Sequence, residues 1–509
     1  MARRSWVVRR GGGVTDARAK TWLLVLPALL AACAAPPDAA MTPASPAAVV
    51  PAIAPAAAQA VAPAVAAREL ARGYVLLGAG GQPLARTISP GGPCPDLTVD
   101  GAALPTRLRA GAQTVAQRPR QAKQSAFPLQ VCEAVLPPGA AHVRLGSAAL
   151  PVPAAQIARI VVLGDTGCRA KSSERAFQDC ADPVAWPFAR IAAAAAREAP
   201  DLVIHVGDYH YRESPCPATL ECAGSVWGYG WDTWQADFFD PAAPLLQAAP
   251  WIVARGNHEE CARAGQGWFR LLDTAPLQPS RSCDDARDDD AGNFSPPYAV
   301  PLGDNWQVIV FDSALASRPP DPARPADVLR LKRYRENLLQ VDALAAAPGM
   351  HSFFLSHHPV LGYTVSAAGV RFGNPTLVSA MRAAHGTRYF APGIAAGLHG
   401  HVHSFQALDF ASDHPPAIVA GHGGDQLDGT LEGRVLEPSD PSVEGVRIAA
   451  VAHAHSFGYL VLERAGAGWV VHARRPDGSA LTDCTLRDLR LACDDRVATT
   501  RPGHPAAGG

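Results

Sequence analysis

Seven side chains spread along the chain form a set that could bind metal: Asp165, Asp208, Tyr211, Asn257, His357, His401 and His403. All are oxygen or imidazole donors, with no thiolate among them. That mixture suits iron, zinc or manganese and argues against a closed structural zinc site. Seven donors are too many for one ion and fit two, provided one carboxylate bridges. Two cations about 3.5–4 Å apart can clamp a phosphoryl group and generate hydroxide from water near neutral pH.

Donors so far apart in sequence need rigid elements to bring them together. Each follows a short apolar run of the kind that forms a buried strand. Ile160–Leu163 leads into Gly164-Asp165-Thr166-Gly167, and Leu202–Val206 into Gly207-Asp208. Trp251–Ala254 leads to Gly256-Asn257-His258-Glu259, Phe353–Leu355 to Ser356-His357-His358-Pro359, and Leu398 to Gly400-His401-Val402-His403. Helices are expected between them at Val184–Glu198 and Ala326–Ala347, the second burying Val328, Leu331, Leu338 and Leu344. In open α/β sheets, ligand groups collect beyond the carboxyl ends of the strands, where these motifs lie. A late strand pair is expected around Phe457–Leu462 and Trp469–Ala473. Residues 68–155 carry short strand-like segments, including Gly73–Leu77, Leu97–Val99, Leu129–Leu136 and His142–Leu145. They read as a small β-sandwich domain before a domain at 156–496, with a disordered tail at 497–509.

The remaining composition sets the context. The chain has 509 residues, 48% hydrophobic and 18% charged, with a formal net charge of -1. It can build a sizeable core, and no nucleic-acid-binding surface is evident from so balanced a charge. No apolar run reaches the roughly 18–20 residues that span a bilayer. Residues 1–33 read as a lipoprotein-type signal peptide. Arg3, Arg4, Arg9, Arg10, Arg18 and Lys20 precede an apolar core, Trp22 to Ala32, that ends Leu30-Ala31-Ala32-Cys33. Cys33 is then the lipid-bearing residue that anchors an exported protein to the cell envelope membrane, and the Ala/Pro-rich residues 34–67 are its tether. Ten of the 11 cysteines remain. They pair locally as Cys94 with Cys132, Cys168 with Cys180, Cys216 with Cys222, Cys261 with Cys283, and Cys484 with Cys493, an expectation for an exported chain.

The ordered blocks GDTG, GDYHY, GNHE, SHHP and GHVH resemble the calcineurin-like metallophosphoesterases, and most of all their purple acid phosphatase branch. The resemblance covers roughly residues 156–475. It implies an α/β fold of two packed sheets flanked by helices, with a β domain in front. Most of the superfamily begins with Asp-x-His, but Gly167 stands where that histidine would be. Purple acid phosphatases share this gap and fill it with a tyrosine three residues after the bridging aspartate, the position of Tyr211. The resemblance implies one metal held by Asp165, Asp208, Tyr211 and His403, and a second by Asp208, Asn257, His357 and His401. A phenolate suits Fe3+, with Zn2+, Mn2+ or Fe2+ as the divalent partner. His258 resembles the family's outer histidine, which binds a phosphate oxygen or protonates the leaving alcohol.

The activity implied is hydrolysis of phosphate monoesters by metal-activated hydroxide. A phosphodiesterase could use the same donors. A surface lipoprotein that only binds would be expected to have lost some of them, and none is missing. His205 and His399 read as core histidines, while His422, in Gly421-His422-Gly423-Gly424, reads equally as turn or pocket wall. Glu259 could orient a neighbour, and the place of His358 is open. The acidic run Asp284, Asp285, Asp288, Asp289 and Asp290 reads as a solvated loop. Trp227, Tyr229, Trp231 and Trp234 could wall a pocket or simply pack.

Overall fold

The computed structural model describes residues 72–366 and 368–500. The signal peptide, Cys33, the tether and residues 501–509 lie outside the described residues. Two large sheets pack face to face. The first has eleven strands, with Tyr459–Ala465, Arg159–Leu163, Leu202–His205 and Trp251–Val253 side by side at its centre. The last three of these are mutually parallel. The second has eight strands, with Trp306–Phe311, His351–Ser356, Ile394–His399 and Ala417–Ala420 running parallel.

Alternation along each strand divides the apolar residues between two cores. Ile160 and Val162 point between the sheets, where they join Ile204, Val308, Phe353, Leu355 and Leu398. Val161 and Leu163 point outward, under Phe188, Ile191 and Leu245 from the helices Phe188–Arg197 and Ala243–Ala248. Phe354 faces the other way, to Tyr334 and Leu338 of the long helix Pro325–Ala345. Because these strands are covered on both faces, they read in sequence as continuous apolar runs.

The structure qualifies three expectations. Residues 72–150 do form a β-sandwich, since a four-stranded sheet packs Leu97, Val99, Val143 and Leu145 onto Val75 and Ala85. That sandwich shares a sheet with the rest of the chain. Arg72–Leu77 pairs in parallel with Trp251–Val253, Leu76 opposite Trp251, so its larger sheet is continuous with the eleven-stranded one. The long helix buries Leu338 and packs Leu331 and Leu344 against the core as expected, but Val328 is exposed, while Asp327 and Arg330 are buried as an ion pair beside Tyr334. The expected tail begins too early, because Ala498–Thr500 pairs with Ile448–Ala454.

All five expected disulfides are formed. Disulfides persist in oxidising compartments, which points to an extracellular or periplasmic protein. Two of them brace the loops that carry donors: Cys168–Cys180 follows Asp165, and Cys261–Cys283 follows Asn257. No helix among the described residues is long and apolar enough to cross a membrane.

Candidate functional site

The strands end at one rim, and the chain turns sharply there. Asp165, Asp208 and His401 adopt left-handed backbone conformations, with φ of 55°, 57° and 68°. Such angles cost a non-glycine residue about 1–3 kcal/mol each and concentrate at functional sites. The backbones also come very close. A Cβ on Gly256 would sit 2.0 Å from Asp208 Oδ1, so only glycine lets the loop of Asn257 approach the loop of Asp208.

All seven predicted donors meet at this rim. Tyr211 Oη lies 3.0 Å from Asp165 Oδ1, from Asp208 Oδ2 and from His403 Nε2. Asp208 Oδ2 is also 3.1 Å from His357 Nε2, which places this one carboxylate between two groups of donors. In the second group, Asn257 Oδ1 is 3.1 Å from His357 Nε2 and 2.9 Å from His401 Nδ1. Tyr209, by contrast, turns away and donates to the Ala254 carbonyl.

The donor chemistry fits a pair of cations. His357 Nδ1 donates to the Val206 carbonyl at 3.0 Å and His403 Nδ1 to the Gln426 carbonyl at 2.8 Å. A carbonyl can only accept, so the Nε2 atoms are the ones presented to the cluster. With no cation, His357 Nε2 would face two acceptors, Asp208 Oδ2 and Asn257 Oδ1, and would need a proton of its own. Burial alone would lower the pKa of His357, but Asp208 and Asp165 outweigh it and raise it to about 9. Burial works against His403 too, and Asp428, Asp425 and Asp165 raise it to about 10. The pocket therefore calls for positive charge where metal ions would sit. Asp208, His357 and His401 offer three donor atoms within 4.8 Å of one another.

Around the donors lies a layer of polar support. Glu259 accepts from the backbone N–H groups of Asp208, Tyr209 and Gly256, tying the second block to the third. Burial, then Asp208, pushes its carboxyl up to about 8. His258 packs against Tyr211 with the rings tilted by 42° and their centroids 3.9 Å apart. Its Nδ1 sits 2.7 Å from Glu213 Oε1 and 2.5 Å from Arg263 Nη2, and its Nε2 is 3.9 Å from Asp208 Oδ2. Burial, then Arg263, pushes the imidazole down to about 3. His358 packs against the His401 ring and contacts the Ser313 and Ser317 hydroxyls. His205 contacts Thr166 and stacks on Tyr209, and His399 contacts Ser356, so both are core histidines. His422 is fully buried, and its ring has no hydrogen-bond partner among the described residues. In the acidic run, Asp284, Asp285 and Asp289 pair with Arg270, Arg287 and Arg118. Tyr229, Trp231 and Trp234 belong to the core.

Several residues here carry no motif. Glu213 and Arg263 hold His258, Asp237 holds the Tyr211 loop, and Asp425 pairs with Arg169 beside His403. Only Asp425 had a signal nearby, the glycine-rich turn that ends one residue before it.

Residues 158–405 match the profile of the calcineurin-like phosphoesterase family. That span contains every one of the seven donors. Those residues form a calcineurin-like phosphoesterase domain, and the fold of that domain implies a dinuclear metal site and a phosphoric ester hydrolase. Among solved structures, the chain is similar to a purple acid phosphatase from yellow lupin (Lupinus luteus) seeds, at 16% identity. That match covers 80% of this chain and 72% of the other, with a TM-score of 0.47. It is also similar to PhoD at 11% identity, covering 83% and 91% of the two chains, with a TM-score of 0.48. No curated protein sequence matches it.

Proposed function

We propose that this protein is an exported acid phosphatase-like enzyme that hydrolyses phosphate monoesters at a dinuclear centre. Asp165, Asp208, Tyr211 and His403 would hold Fe3+. Asp208, Asn257, His357 and His401 would hold a divalent ion (Zn2+, Mn2+ or Fe2+). When bound, the two ions supply Lewis acidity to the phosphoryl oxygens and make water a nucleophile near neutral pH. The chain's own residues do the rest. Asp208 spans both donor groups and fixes their separation. His258 lines the cavity, and with Arg263 donating to its Nδ1 the uncharged ring would carry its proton on Nε2 and donate it in a hydrogen bond to a phosphoryl oxygen. Glu213 and Arg263 grip its other nitrogen and set the ring's angle. The ester P–O bond breaks, the oxygen of water joins phosphorus, and a proton goes to the alcohol. A lipid at Cys33 would keep this catalytic body at the membrane surface.

The observation that carries the reading is Tyr211 Oη, equidistant at 3.0 Å from two carboxylates and an imidazole. The test is metal analysis of the purified protein beside a panel of monoesters and diesters. Two metals per chain with turnover of monoesters is expected. Metal-loaded protein that cleaves only diesters would overturn the monoester assignment.

A further inference from the structure

Above the donors lies a cavity of about 500 Å³ with five cationic side chains on its walls. Three are already engaged. Arg169 pairs with Asp425 and Glu174, Lys171 with Glu174, and Arg263 with Glu213. Arg120 and Arg318 are not: neither forms an ion pair with a carboxylate among the described residues. Glu260 lines the same cavity but lies beyond ion-pair distance of both.

Both guanidinium groups are exposed, yet the backbone beneath each is fixed. Arg120 lies between two buried anchors. Arg118 donates to the Cys283 carbonyl at 3.2 Å and to Asp289, and Gln121 donates to the Arg263 carbonyl at 2.8 Å. The Arg318 carbonyl accepts from Thr376 Oγ1 at 2.5 Å, and its neighbour Ser317 is 3.0 Å from His358 Nε2. Two free cations on held backbone, lining a phosphoesterase cavity, leave positive charge there for an anion to neutralise. The planar fork of arginine matches a phosphoryl group. The donor cluster at the cavity floor would take the first phosphoryl group, so these side chains remain for another.

We propose that Arg120 and Arg318 form a second anion subsite, and that the preferred substrate is a phosphate monoester whose alcohol portion carries a second phosphoryl group. The inference rests on the phosphatase reading above. It is tested by measuring kcat/KM of metal-loaded wild type and the R120Q/R318Q variant on three substrates: a sugar bisphosphate, the matching sugar monophosphate, and a monophosphate bearing a carboxylate. Wild type should favour the bisphosphate over the monophosphate by about 10–100-fold, the range for one or two charge-assisted hydrogen bonds. Added salt should reduce that preference. In the variant the ratio should fall to within about twofold of one, with an unchanged melting temperature as the check on folding. No preference in wild type, or an undiminished ratio in the variant, would overturn the subsite. An equal preference for the carboxylate substrate would overturn its phosphoryl character. Calorimetry with an alkane bisphosphonate and the matching monophosphonate separates the two readings. If no ester turns over but the bisphosphonate binds tighter in an Arg120- and Arg318-dependent way, the phosphatase reading fails and the subsite stands. Equal affinity for the two phosphonates overturns the subsite.

Discussion

Asp237 should decide whether the tyrosine loop holds its place. It sits in the wide helical turn Gln235–Phe239, with a fully buried side chain. One carboxylate oxygen accepts from Cys168 N at 3.1 Å and from Arg212 Nε at 2.5 Å. The other accepts from Tyr211 N at 2.8 Å and from Arg212 N at 3.1 Å. The loop after Asp165 is thereby tied to the loop after Asp208. Asp237→Asn keeps one acceptor oxygen but turns an amide N–H2 toward two backbone N–H groups. Each buried donor left without an acceptor costs about 1–3 kcal/mol. The buried Arg212, 5% exposed, also loses its countercharge. Those terms overlap, so about 3–5 kcal/mol is expected, a large share of a typical folding free energy. Asp237→Ala removes all four contacts and should cost more. Urea unfolding followed by tryptophan fluorescence gives the global loss. Amide hydrogen exchange at Cys168, Tyr211 and Arg212 gives the local one. Adding Arg212→Gln to the Asp237→Asn variant should restore part of the stability by removing the unpaired charge. If Asp237→Asn costs under about 1 kcal/mol and those three amides keep their protection, the clamp does not exist.

Three further outcomes are expected. A Tyr211 phenolate on Fe3+ should give a charge-transfer band in the visible spectrum. Tyr211→Phe should abolish it and Tyr209→Phe should not; colour that survives in Tyr211→Phe refutes the ligand assignment. His258→Ala should keep both metals while slowing turnover by roughly 10²–10⁴-fold, and metal loss on elemental analysis would instead make His258 a ligand. Cys33→Ser should release the protein from membranes or block its processing, and a variant that is still cleaved and still sediments with membranes would rule out the lipid tether.

The candidate donors were legible because each lies within a few residues of the carboxyl end of a strand covered on both faces. An apolar run broken by Gly-Asp, Gly-Asn or Ser-His marks both the strand and its carboxyl end. The sandwich's place in the sheet was not legible. Leu76 meets Trp251 across a long stretch of chain, and nothing local in Arg72–Leu77 names that partner. The long helix misled at one position. Its buried face includes Asp327 and Arg330, which neutralise each other, so hydropathy pointed to Val328 instead. Glu213, Asp237 and Arg263 escaped notice because single polar residues in loops follow no period. Their roles arise only when loops distant in sequence come within hydrogen-bond reach.

Gly167 and Tyr211 are two halves of one arrangement. A Cβ at 167 would lie 2.8 Å from the Tyr209 carbonyl oxygen and 2.8 Å from the Tyr211 nitrogen, with Asp237 Oδ2 only 3.0 Å away. The first two contacts are with backbone, which cannot swing aside as a long side chain can. A histidine at 167 would therefore have to push the 208–211 turn outward, and Tyr211 Oη would lose its place between Asp165 and Asp208. Conversely, a turn held this close by Asp237 leaves no room for a donor at 167. On the ligand assignment proposed above, the cluster would take its oxygen from elsewhere, and Tyr211, three residues past Asp208, would supply it. The missing histidine and the inserted phenol thus follow from a single packing choice, the tight docking of one strand-end loop on the next.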